Sequence, residues 1–169
     1  MHKKRDYKSW ALALGSLMLT HLLQAQTIVA DQPGAGVFTL ANTTILVDDN
    51  DAELVKRAAS LLQSDIEMVT GVKPVLFDKA TQAGKTVIVV GTISGSSIIK
   101  ELVSRKLFSS VAIAGKWEAY KIQTVNPGNL FPGAQQVLVI AGSDRRGAAY
   151  GVVELSRQMG VSPWYWWAD

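Results

Sequence analysis

Thr86-Val-Ile-Val-Val90, running on into Gly91-Thr-Ile-Ser-Gly95, is the stretch that decides the fold. Five consecutive β-branched side chains favour a strand over a helix. The run has no polar alternation, so both of its faces are expected to be buried. Gly91 and Gly95 then carry the chain through a loop into a segment with Ile99, Leu102, Val103 and Leu107 at helical spacing. Strand, tight loop and helix in this order are the unit of an α/β domain.

The same signals extend in both directions. Gln136–Ala141 (QVLVIA) reads as a second buried strand, and Tyr120–Val125 (YKIQTV) alternates with period two, as a half-buried strand does. Upstream, Val37–Leu40 and Thr44–Val47 are short strands joined at Asn42, and Val75–Phe77 is a weaker one. Leu54, Ala58, Leu61, Leu62, Ile66 and Val69 predict an amphipathic helix, with Gly71 at its C-terminal end and Pro74 beyond. Asp48, Asp49 and Asp51 precede it and suit its N-terminus as caps. A third helix opens at Asp144, turns Ala149, Val152, Val153 and Met159 inward, and closes at Gly160. The order ββαββαββα predicts an α/β fold with a mixed sheet of about five strands packed with about three helices. No internal repeat or low-complexity tract interrupts it.

The N-terminus has a different character. Lys3, Lys4, Arg5 and Lys8 precede an apolar run from Trp10 to Leu23, which ends in small Ala25. That is the layout of a Sec-type signal peptide, with cleavage expected between Ala25 and Gln26 and a secreted or periplasmic product. The apolar run falls short of the ~20 residues that span a bilayer, so no membrane association is expected after cleavage. The expected organisation is a signal peptide over 1–25, a flexible leader over 26–36 rich in Gly and Pro, an α/β domain over 37–161, and an aromatic linker over 162–169.

Removing residues 1–25 changes the charge. The whole chain has 17 Lys and Arg against 14 Asp and Glu; the remainder has 13 of each. The basic excess thus belongs to the export signal, and no nucleic-acid footprint is expected. Both histidines, His2 and His21, leave with it, and there is no cysteine anywhere. Ser-His-Asp triads, histidine or thiolate metal sites, disulfides and cysteine nucleophiles are all excluded from the mature chain. No cofactor and no metal is expected.

Four features bear on function. The Gly91–Gly95 loop has the strand-to-helix geometry of a phosphate cradle but matches neither GxxxxGK[ST] nor GxGxxG; a tight turn accounts for it, and a nucleotide-binding domain is the weakest reading. Asp48, Asp49 and Asp51 lack calcium-loop spacing, which leaves capping. In Gly142–Gly151, small Gly147, Ala148 and Gly151 let the helix approach a neighbour closely. Arg145 and Arg146 in the same segment suit either an acidic sugar or a solvated helix start, with Tyr150 one turn on. Trp164, Tyr165, Trp166 and Trp167 carry far more apolar surface than a short tail can cover, roughly 150–250 Å² per ring. Packing against an adjoining domain is one use for them, and stacking on sugar rings another.

Ile140–Asp169 (IAGSDRRGAAYGVVELSRQMGVSPWYWWAD) resembles the N-terminal domain of glycoside hydrolase family 115, and VIVVGTISGSSIIKEL and GKWEAYKIQTV are similar to it as well. The resemblance extends, more distantly, to the small α/β domains that precede the barrels of family 67 glucuronidases and family 20 hexosaminidases. Family 115 comprises xylan α-1,2-glucuronidases. The resemblance implies a multi-domain enzyme of xylan degradation that removes glucuronic acid or its 4-O-methyl ether, with its catalytic carboxylates in a following barrel. Asp169 stands about where that barrel is expected to begin. The expected partner is therefore a C-terminal catalytic domain, with xylan or a uronic-acid oligosaccharide as a further one, and no catalytic residue is carried onto this chain. A stand-alone secreted carbohydrate-binding or interaction module is the alternative.

Overall fold

The structure is a computed structural model and describes residues 29–30 and 38–162. The expected signal peptide with its Ala25/Gln26 junction, and Trp164, Tyr165, Trp166 and Trp167, lie outside the described residues.

The α/β expectation holds. In chain order the elements are β1 (Val29–Ala30), β2 (Phe38–Thr39), β3 (Thr43–Val47), α1 (Glu53–Thr70), β4 (Val75–Phe77), β5 (Thr86–Thr92), α2 (Ser97–Ser104), β6 (Tyr120–Val125), β7 (Gln136–Gly142) and α3 (Arg145–Gln158). The main sheet is ordered β4-β3-β5-β7-β6; β4, β3, β5 and β7 run parallel, and β6 lies antiparallel to β7 at the edge. β1, inside the segment read as a leader, pairs in parallel with β2.

The central run Thr86–Thr92 is buried at every position, and its alternate residues supply two different cores. Ile88 and Val90 point to a layer built from α1 and α3, with Ile45, Leu62, Ile66, Leu138, Ile140, Val152 and Leu155. Val87 and Val89 point to the opposite layer, with Ile99 and Leu102 of α2 and Phe108, Ile113 and Phe131 from irregular chain. Two-sided burial is why this strand carries no polar alternation.

The carboxylates expected to cap helices divide into one that does so and others that do not. Asp144 accepts from Arg146 N and Gly147 N at 2.9 and 2.8 Å and caps α3 as expected. Gly71 takes the left-handed conformation after α1, at φ 73°. Asp48 and Asp51 do not cap α1, whose N-cap is Ala52 without a side-chain bond. They reach across to the β5–α2 loop instead. Asp48 Oδ2 accepts from Ser97 N at 2.7 Å and from Ser97 Oγ, and Asp51 takes both donors of Thr92. The reason is topological: β3 and β5 are neighbours, so their C-terminal loops meet, and two carboxylates there satisfy donors that would otherwise be buried.

Two helix faces also differ from expectation. Leu54 and Leu61 are 38% and 56% exposed, and the adjacent column Val55, Ala59 and Leu62 faces the sheet in their place. On α3, Val153 is 44% exposed while Val152 is buried. The two helices lie side by side, joined by a buried hydrogen bond of 2.6 Å from Ser156 Oγ to Asp65.

Candidate functional site

In open α/β sheets a ligand crevice forms where the strand order reverses, outside the strand C-termini. Here that point lies between β3 and β5, and it is closed. Thr92 N donates to Asp51, Gly95 N to Thr92 Oγ1, Ser97 N to Asp48 and Ile99 N to Ser96 Oγ. These four loop donors are taken by the protein. A Cβ on Gly95 would stand 2.3 Å from Asp51 Oδ1, so the glycine serves this close packing. Burial raises the Asp48 carboxyl, but hydrogen bonds from Ser97 and Asn50 together outweigh it and hold the group below its usual range. Among the described residues, no group of three or more His, Cys, Asp or Glu is arranged to hold a metal ion.

Arg145 and Arg146 stand elsewhere, at the start of α3 beside the turn that leads into β6. Gly115 (φ 73°) and Glu118 (φ 53°) both take the left-handed conformation and lift Trp117 out of the turn. A non-glycine residue held there costs about 1–2 kcal/mol, and the bond from Glu118 N to Asp144 Oδ2, 2.7 Å, helps to offset it. Ala119 and Ser143 close the connection with two further bonds, of 3.0 and 2.8 Å. Trp117 is left 88% exposed. It shares a shallow depression of ≈ 510 Å³ with Gly115, Lys116, Glu118, Asp144, Arg145 and Arg146.

The charges in this depression have separate tasks. Arg146 pairs with Glu118 at 2.8 Å and donates to Tyr150 Oη at 3.0 Å, with its guanidinium 5.9 Å from the Tyr150 ring. The phenol of Tyr150 and then the carboxylate of Glu118 raise its already high pKa. Lys116 and Arg145 are exposed and have no ion-pair partner among the described residues. The N–H groups of Gly147 and Glu118, with Arg146 N, hold the Asp144 carboxyl below its usual range. The depression therefore sets an exposed indole beside two cations that have no ion-pair partner among the described residues.

The structure places Arg145 and Arg146 in this depression and Tyr150 beside it, against Arg146. Trp117 was not expected at the site. Its one signal in sequence is a tryptophan between Lys116 and Glu118 that belongs to no apolar periodicity.

Compared with solved structures, the chain is similar to a novel family GH115 4-O-methyl-α-glucuronidase, BtGH115A, with specificity for decorated arabinogalactans: 31% identity, TM-score 0.57, over 75% of this chain. The fold is GH115-like. This GH115-like domain spans 15% of the length of that glucuronidase, and the likeness points to a domain of a glycoside hydrolase. A second structure, CpGH84D, shares the fold at 15% identity and TM-score 0.50, over 72% of this chain and 18% of its own. No family model and no curated protein matches the chain.

Proposed function

We propose that the chain is the non-catalytic N-terminal domain of a secreted glycoside hydrolase acting on glucuronoxylan. The whole enzyme removes α-1,2-linked (4-O-methyl)glucuronic acid, and the Trp117 face of this domain holds an acidic sugar unit of the polysaccharide. The observation that carries the reading is the 31% identity to a glucuronidase domain over 75% of the chain. Three further features support it. The basic, apolar and small N-terminal sequence suits export. The aromatic residues after Ser162 suit a junction with a catalytic domain. Trp117, Lys116 and Arg145 match a uronic acid, with ring stacking for its C–H face and cations for its carboxylate.

The test is incubation of the purified chain with glucuronoxylan and, separately, with a decorated arabinogalactan. No free glucuronic acid is expected from either. Release from either one ends the non-catalytic reading.

The exposure of Trp117 also favours a second reading, a stand-alone secreted carbohydrate-binding module. Titrating xylan and uronic-acid oligosaccharides against tryptophan fluorescence separates the contributions. A saturable response lost in Trp117→Ala places binding on the described face, and one lost in Trp166→Ala places it on the tail.

A further inference from the structure

The outer face of α1 carries an apolar stripe that the glycan face does not explain. Leu54, Leu61 and Met68 are 38%, 56% and 45% exposed. They stand seven residues apart, just under two helical turns, so their side chains follow one line of the helix over about 21 Å. Leu54 and Leu61 also wall a groove between α1 and α3, with Val152 and Val153 opposite. Its volume of ≈ 190 Å³ is below the roughly 300–1,000 Å³ of small-molecule sites, so it suits a side chain of a partner. Asp65 lines it too. That carboxylate is buried; one oxygen accepts from Ser156 Oγ, and the other has no donor among the described residues.

We propose that α1 pairs antiparallel with α1 of a second copy of this chain, about a two-fold axis at Leu61. Such an interface needs a surface that is its own complement, in which residue i meets j and j meets i. The α1 face has that property. Arg57 stands four residues before Leu61 and Asp65 four after it, about 6 Å along the helix in each direction. Leu54 and Met68 stand seven before and seven after. In the antiparallel pair, Arg57 is thus level with Asp65 of the second copy, and Leu54 with Met68 of the second copy. Arg57 lines the groove from an exposed position, and its planar fork supplies the donors that the second oxygen of Asp65 lacks. Its pair with Glu53 in its own chain, at 3.4 Å between two exposed side chains, holds it only weakly. A parallel pair would set Arg57 against Arg57 and Asp65 against Asp65, which like charge disfavours. The stripe is one helix long, so the dimer is expected to exchange with the monomer. The inference stands whether or not the domain belongs to a glucuronidase.

Sedimentation velocity of the purified chain over a concentration series should show a monomer–dimer equilibrium. Leu61→Glu sets two carboxylates against each other at the axis and should abolish the dimer. Because Leu61 is exposed, the thermal melt of the monomer should be unchanged by it. Arg57→Glu should weaken the dimer about tenfold or more. Disulfide trapping reads the orientation, and the chain has no cysteine to interfere. Under mild oxidation, a mixture of Leu54→Cys and Met68→Cys chains should bridge one to the other, while neither variant alone should bridge to itself. A monomer at every concentration overturns the proposal and leaves the groove to a different partner. A dimer that Leu61→Glu leaves intact overturns it as well, as do thiols that bridge only like to like.

Discussion

The carboxylate of Asp51 accepts both donors of Thr92, the backbone N–H at 2.7 Å and the hydroxyl at 2.8 Å, across the point where the loops of β3 and β5 meet. The interaction is buried, and Thr92 Oγ1 in turn accepts from Gly95 N. Asp51→Ala leaves both of these donors, and the Ala52 N–H that also donates to Asp51 Oδ1 at 2.8 Å, without that acceptor and is expected to cost about 2–4 kcal/mol. The urea midpoint should fall with an unchanged slope. A midpoint shift equal to that of an exposed substitution such as Ser104→Ala would show that the latch carries no stability.

Acid should release the domain in a defined direction. Hydrogen bonds hold the carboxyls of Asp48 and Asp144 below their usual range in the folded state. An unfolded Asp titrates near 3.9, so between that pH and the lower folded pKa values the unfolded state binds more protons. Their contribution is complete above about pH 4 and is lost as pH falls through the folded values. Urea midpoints measured from pH 7 down to pH 2.5 should decline below about pH 4. The decline should be shallower in Asp48→Asn and Asp144→Asn.

Close packing reverses the ordinary preference for alanine in a helix. A Cβ on Gly147 would stand 2.3 Å from the carbonyl oxygen of Ala119, and one on Gly151 would stand 2.6 Å from Ile140 Cγ2. Gly→Ala inside a helix normally stabilises by about 1 kcal/mol. Here both changes should destabilise, by about 1–3 kcal/mol. Gly147→Ala should be the worse of the two, because a backbone carbonyl yields less than the tip of a side chain. Thermal melts of the two variants check both the sign and the order.

Trp117 should matter for binding and not for folding. Its ring is 88% exposed, so Trp117→Ala is expected to leave stability within about 0.5 kcal/mol. The same change should weaken binding of a glucuronoxylan oligosaccharide about tenfold. Arg145→Gln should instead reduce the salt dependence of binding, because it removes an unpaired cation.

Much of the fold was legible because the deciding signals are local. Five β-branched residues in a row make Thr86–Val90 a strand in any context, and Asp144 caps the helix that starts beside it. What could not be read depends on which elements become neighbours. Leu54 and Leu61 stand one position from Val55 and Leu62, so sequence periodicity leaves open which column faces the sheet. Asp48 and Asp51 look like caps for the next helix because nothing local shows that β5 will lie beside β3. At the site, Arg145, Arg146 and Tyr150 share one helix and were visible together. Trp117 comes from a turn almost thirty residues upstream and joins them through the antiparallel pairing of β6 with β7 and the bonds of Glu118 and Ala119 to Asp144 and Ser143.

The most direct measurement is a calorimetric titration of the purified chain with a glucuronoxylan oligosaccharide, set beside the neutral xylan oligosaccharide of equal length. The expected result is a saturable heat for the acidic sugar that weakens with salt and returns to a flat baseline after each injection, with a much smaller heat for the neutral one. A sustained heat flow after injection means turnover. That result, or equal heats for the two sugars, would contradict a domain that holds the acidic unit and leaves its cleavage to another part of the enzyme.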